Sequence, residues 1–148
     1  MQQINALVGG ESSGGLTMRG YLLGKDGIFA CALVCEMLAR TGKPLSQLVS
    51  ETLDITGHLV QLETGVPATP DMRIELPRRM ASAAPTEIDG KKVLSIGTMD
   101  GIKFYLDDGA WVLLRFSGTE PVLRMVAEAS TEEEAQRLLD WVRVFSGA

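Results

Sequence analysis

Apolar residues follow two different periodicities along this chain, and the change between them falls near residue 57. Before it, Ile4-Asn5-Ala6-Leu7-Val8 reads as a short strand running into a glycine-rich loop, Gly9 to Gly15. A second loop, Gly24-Lys25-Asp26-Gly27, leads into a helix over residues 27–41, with Asp26 placed to cap it and Gly42 to stop it. That helix is apolar almost all round, so it is expected to lie buried between layers, although only one strand precedes it. Pro44 opens a second helix with Leu45, Leu48, Val49 and Leu53 on one face, ending near Ile55-Thr56-Gly57.

From His58 the pattern turns to strands and tight turns. His58 to Leu62, Val93 to Gly97, Ile102 to Leu106, Trp111 to Arg115 and Val122 to Ala129 read as strands. Met99-Asp100-Gly101 and Asp107-Asp108-Gly109 supply hairpin turns. Residues 70–84 hold a helix that Pro77 should start or break. Thr131 and Glu134 form a capping box, followed by the apolar stripe Ala135, Leu138, Leu139, Val142 and Phe145. The expected fold is α+β: a mostly helical remnant of an α/β domain over residues 1–57, then an antiparallel sheet of about four strands over 58–148 with helices on one face.

Composition narrows the function classes. With 148 residues, 45% hydrophobic and 22% charged, the chain has material for a packed core. A net charge of −5 is too acidic for a general nucleic-acid binder, so any anion must be held by a local site. The longest apolar run, Ile28 to Cys35, resumes after Glu36 only to Ala39, well short of the roughly 20 residues that cross a bilayer. No secretory signal opens the sequence, and Cys31 and Cys35, one helical turn apart, read as buried small apolar residues of a reduced cytoplasmic protein. His58, the one histidine, reads as a boundary or surface residue, Trp111 and Trp141 as packing between sheet and helix, and Arg78-Arg79 as a solvated face.

The densest chemistry is Arg115-Phe116-Ser117-Gly118-Thr119-Glu120-Pro121, between two strands. Arg115 offers a planar guanidinium that can pair with two phosphate oxygens. Ser117 and Thr119 offer hydroxyls, and Gly118 lets successive amides turn inward around an anion. Arg124, on the outgoing strand, can return a second guanidinium to the same place. Glu120 would repel phosphate, so it is assigned to orienting Arg115 or capping loop amides. By composition alone these residues fit equally well a polar hairpin whose Ser, Gly and Thr satisfy the turn.

Residues 115–121 resemble the phosphate-binding loop in the fourth and last domain of the α-D-phosphohexomutase superfamily. Gly10-Glu11-Ser12-Ser13-Gly14-Gly15 resembles that family's sugar-recognition loop, G-E-x-S-G, from the third domain, and Gly24-Lys25-Asp26-Gly27 the segment that follows it. The flanking residues look closest to the phosphoglucomutase and phosphomannomutase branch. The resemblance implies reversible transfer of phosphate between C1 and C6 of a hexose through a bisphosphorylated sugar. It implies that Glu11 and Ser13 bind sugar hydroxyls, and that Arg115, Ser117, Gly118, Thr119 and Arg124 hold the phosphate that is not reacting. Lys25 is a further candidate, for the phosphate or for proton transfer, against a plain reading as a solvated lysine.

The resemblance covers only about the last third of a family enzyme. The family's phosphoserine loop and its aspartate-rich Mg²⁺ loop, D-G-D-x-D-R, have no counterpart in these residues, and Asp107-Asp108-Gly109 reads as a turn. Mg²⁺ and its ligands are therefore expected in the full-length parent, no metal in this segment, and no mutase activity from the segment alone. Its expected partners are a phosphohexose and the missing N-terminal domains, with neither nucleic acid nor membrane. Two rivals stay open: a phosphoglucosamine mutase, and a stand-alone phosphosugar-binding module without catalysis.

Overall fold

The computed structural model describes residues 4–11 and 14–147, and the chain divides into two units, residues 1–57 and 58–148. In the first unit, β1 (Val8–Gly10) and β2 (Leu16–Met18) form an antiparallel hairpin around the glycine loop. The strand expected over residues 4–8 thus begins where it was expected to end. α1 (Gly27–Thr41) follows, with the Asp26 carboxylate accepting from the Phe29 amide at 2.9 Å and Gly42 closing the helix at φ 65°. The Phe29 amide, then the Tyr21 hydroxyl at 3.0 Å, hold Asp26 below the usual carboxylate range. α2 (Leu45–Thr56) starts after Pro44 and ends at Gly57.

No residue of α1 or α2 is buried, and Cys31 and Cys35 are exposed, contrary to the burial expected of α1 and of these two cysteines. The physical reason is coverage. An all-round apolar helix needs layers on two sides, and the described strands of this unit amount to one hairpin of two three-residue strands.

The second unit is a six-stranded antiparallel sheet in the order β3-β8-β7-β6-β5-β4. Its strands are β3 (Val60–Pro67), β4 (Glu87–Ile88), β5 (Lys91–Gly97), β6 (Ile102–Leu106), β7 (Trp111–Phe116) and β8 (Val122–Ala129). The last five run as a meander, and β3 returns to the far edge beside β8. Two helices, α3 (Pro70–Ala83) and α4 (Glu132–Ser146), cover one face.

Alternation decides which residues face those helices. Phe104, Leu106, Val112, Leu114, Leu123, Met125 and Ala127 point into the core against Met72 and Leu76 of α3 and Leu138 and Val142 of α4. Phe104 meets Trp141 and Phe145 edge-on, at 6.2 and 6.0 Å between ring centroids. Pro77 neither starts nor breaks α3 but lies inside it. It faces solvent, while Met72 and Leu76 are buried and Met80 is partly buried, so packing of that face offsets the lost backbone hydrogen bond. Thr131 caps α4 by accepting from the Glu134 amide at 3.2 Å. The Glu134 carboxylate turns to Lys91 at 2.6 Å and to Ser130, where the sequence suggested a reciprocal capping box.

Candidate anion-binding site

The β7–β8 register sets Arg115 directly opposite Arg124. Both alternate with core residues, so both stand on the sheet face that the helices leave open. Like charges in cross-strand contact are unfavourable, and this pair is offset by carboxylates from three different elements. Asp100, in the β5–β6 turn, is 3.1 Å from Arg115 Nε. Glu63 of β3 is 2.9 Å from one terminal nitrogen of Arg124, and Glu120 of the loop is 3.4 Å from the other. Glu120 therefore pairs with Arg124, and the carboxylate beside Arg115 is that of Asp100, a correction to the role expected for Glu120.

The loop between the strands is closed by its own backbone. The Ser117 amide donates to the Val122 carbonyl at 2.8 Å, and the Val122 amide to the Glu120 carbonyl at 2.8 Å. The Ser117 hydroxyl, almost buried, accepts from the amides of Thr119 at 3.4 Å and Glu120 at 3.2 Å. Two of the amides expected to face an anion, those of Ser117 and Thr119, are thus engaged within the loop. The Gly118 amide and Thr119 hydroxyl have no hydrogen-bond partner among the described residues, and a side chain at Gly118 would meet only open space. The terminal nitrogens of Arg115 likewise make no hydrogen bond among the described residues. These free donors on one exposed hairpin end, beside two guanidiniums, are what a tetrahedral oxyanion can use.

Arg73 of α3 belongs to the same neighbourhood and had no signal in the sequence. Its guanidinium lies 4.6 Å over the Phe116 ring and donates to the Ser117 carbonyl at 3.4 Å. Phe116 pointing to the core is the one hint that something must cover its ring.

In the first unit, the structure brings Glu11 and Lys25 together in an exposed ion pair of 2.9 Å. Gly15 makes room for it: a Cβ there would come within 2.4 Å of the Lys25 Cδ. The Glu11 amide donates to the Gly15 carbonyl and the Gly14 amide to the Glu11 carbonyl, with Gly14 at φ 83°. Ser13, the other residue assigned to the sugar, lies outside the described residues.

The remaining candidates stay away from this chemistry. His58 is exposed ahead of β3. Trp141 packs between sheet and helix, stacked 5.0 Å from Phe145, but Trp111 lies on the open face, against expectation. Its indole N–H donates to Glu128 at 2.7 Å, and Lys103 Nζ sits 3.5 Å over its ring. Burial holds the Lys103 ammonium below its usual range, against the opposing pull of Glu128. Arg78 pairs with Glu75 on a solvated face, whereas Arg79 donates to the Phe145 carbonyl at 2.8 Å and closes the end of α4. An open depression of about 550 Å³ lies over Trp141, Val144 and Phe145, beside an Arg137–Asp89 ion pair. Among the described residues, no three His, Cys, Asp or Glu side chains converge as metal ligands would. Among the described residues, no helix is long and apolar enough to cross a membrane.

Residues 1–55 match the family model described as phosphoglucomutase/phosphomannomutase, alpha/beta/alpha domain III. Residues 72–143 match the one described as phosphoglucomutase/phosphomannomutase, C-terminal domain. A phosphoglucomutase/phosphomannomutase of Thermococcus kodakarensis is 37% identical over 136 residues, 92% of this chain and 27% of that protein. A probable phosphoglucosamine mutase of Pyrococcus horikoshii is 38% identical over 131 residues, 88% of this chain and 27% of that protein. A crystal structure of a phosphoglucomutase/phosphomannomutase family protein from Burkholderia thailandensis aligns with a TM-score of 0.66 at 26% identity, over 97% of this chain and 28% of that one. The chain thus spans little more than a quarter of the length of these relatives.

Proposed function

Because the chain belongs to the phosphoglucomutase/phosphomannomutase family, matching its third domain and then its C-terminal domain, we propose that it acts as part of a phosphohexomutase. The reaction is the interconversion of hexose 1-phosphate and hexose 6-phosphate through a bisphosphorylated sugar. In this reading residues 1–57 contribute to sugar recognition and residues 58–148 grip phosphate. Arg115, Gly118 and Thr119 supply the direct donors, Ser117 shapes the loop that presents them, and Arg124 adds positive charge from the facing strand. Glu11 and Ser13 bind sugar hydroxyls, and Lys25 holds the Glu11 carboxylate in place. The cytoplasm suits its two unbridged cysteines.

The observation that carries this reading is the cross-strand Arg115–Arg124 pair beside a loop with unused donors. Gripping the phosphate that does not react uses remote binding energy to orient the reacting end, and needs no proton or metal at this point. Mg²⁺ would supply charge neutralisation at the reacting phosphate, and in this reading its ligands belong to the rest of the parent enzyme. In the same reading the 148-residue chain alone is inactive as a mutase.

Glucose 1-phosphate titrated into the isotopically labelled chain should move the amides of Gly118 and Thr119 and the side chain of Arg115 first, with weak and salt-sensitive binding. Largest shifts elsewhere would remove the phosphate reading. Formation of glucose 6-phosphate by the chain alone, supplied with the bisphosphate, would refute its inactivity. A glucosamine phosphate is the second reading for the substrate, because relatives bearing both names are about equally identical to this chain, at 37% and 38%. Glucose 1-phosphate and glucosamine 1-phosphate titrated side by side separate the two by affinity.

A further inference from the structure

A guanidinium on an open sheet face rotates freely unless something fixes its plane, and two facing guanidiniums rotate apart. Arg115 has one ion-pair contact, its Nε 3.1 Å from Asp100 Oδ1, made by proximity of charge and not by an aligned hydrogen bond. A carboxylate beside Nε occupies the side edge of the fork and leaves the two terminal nitrogens, which have no hydrogen-bond partner among the described residues, as a pair. Arg124 is arranged the other way, with both terminal nitrogens against carboxylates, Glu63 and Glu120.

The place of Asp100 is itself fixed by packing. Gly101, the next residue, sits at φ 109°, and a Cβ on it would come within 2.4 Å of the Leu114 carbonyl oxygen and 3.1 Å of Arg115 Cβ. The β5–β6 turn therefore lies directly against the backbone of Arg115, an approach only glycine allows. Two strands away in sequence, the turn is held next to the root of the side chain whose head its carboxylate contacts.

We propose that Asp100 is a positioning residue of the anion site: it holds Arg115 by Nε so that the terminal nitrogen pair is presented to phosphate. The proposal rests on the phosphate reading of residues 115–124. A plainer account makes Asp100 a turn residue in an exposed ion pair, its side chain 72% accessible and that of Arg115 50%. Such pairs add little to stability, so stability does not explain its place.

The two accounts predict opposite signs. Removing a carboxylate beside an anion site strengthens anion binding by simple electrostatics. Removing a carboxylate that aims the chief donor weakens it. Asp100→Asn keeps a residue suited to the turn and deletes only the charge. With the full 148-residue chain, inorganic phosphate and glucose 1-phosphate are titrated into wild type, D100N and R115A, following amides and the Arg115 Nε–Hε resonance.

The expected result is a Kd raised roughly three- to tenfold in D100N for both ligands, with an unchanged Tm. The Arg115 Nε–Hε resonance should move toward that of a solvated arginine. An unchanged or lowered Kd in D100N, with binding lost in R115A, overturns the positioning role and leaves the phosphate reading standing. Unchanged binding in R115A, or no binding by wild type, overturns the phosphate reading and this proposal with it.

Discussion

Lys91→Met removes the one cation between two carboxylates at the edge of the sheet. Lys91 Nζ contacts Asp108 and, at 2.6 Å, Glu134, tying β5 and the β6–β7 turn to the start of α4. Its side chain is only 14% exposed, against 20% for Glu134 and 40% for Asp108. Breaking a fully buried pair costs about 3–5 kcal/mol and an exposed one about 0–1. The partial exposure of Asp108 places this one between them, at about 2 kcal/mol at neutral pH.

The pH dependence makes that figure testable. The Lys91 ammonium, then the Ser130 hydroxyl, pull Glu134 from 4.5 down to about 2. Burial alone would raise Asp108 and lower Lys91, but their mutual hydrogen bond and the other contacts of the cluster win, leaving Asp108 lowered and Lys91 raised. A carboxylate whose folded pKa is depressed stabilises the fold above its unfolded value and loses that contribution as pH falls through its folded value. For wild type the loss from Glu134 therefore spans pH 4.5 to about 2. In Lys91→Met the two carboxylates repel without a cation, so protonating them in the same range relieves the fold. The stability gap should thus be widest at neutral pH and close as the pH approaches 3.

Both tryptophans, Trp111 and Trp141, lie in the second unit, so their fluorescence during urea unfolding reports that unit. The midpoint should fall by about 1–2 M at pH 7, with the difference shrinking toward acid. A gap that stays constant from pH 7 to 3, or widens, would refute the account of this cluster.

Glu120→Gln removes the weaker of the two carboxylates on Arg124, at 3.4 Å, and should lower the Kd for phosphate about threefold at low salt, the opposite sign from D100N; isothermal titration checks it. Ser117→Ala deprives the Thr119 and Glu120 amides of their acceptor, so hydrogen exchange at both should quicken by about tenfold. Thr119→Val removes an unengaged hydroxyl and should weaken phosphate about threefold without lowering Tm. Gly101→Ala forces a Cβ to within 2.4 Å of the Leu114 carbonyl at φ 109°, and should cost about 2–3 kcal/mol in urea unfolding, more than a surface glycine would.

Local chemistry was readable from the residues. Asp26, Gly42 and Thr131 cap their helices because a short polar side chain or a left-handed glycine acts on neighbours within four positions. The strands Ile102–Leu106 and Val122–Ala129 were readable because alternation with period two is itself local. Arg115, Gly118 and Thr119 stood out because their donor types crowd into one short loop.

Tertiary structure decided what those residues meet. That Pro77 stays inside α3 depends on Met72 and Leu76 finding a core, a distant contact that outweighs a local preference. That β3 lies beside β8, bringing Glu63 to Arg124, depends on a return across the sheet that no spacing encodes. The exchange of roles between Asp100 and Glu120 follows from register: a carboxylate fifteen residues away on a neighbouring turn reaches Arg115, while the one five residues away turns to the facing strand. Sequence fixes which groups can donate and accept; strand pairing alone determines which of them meet.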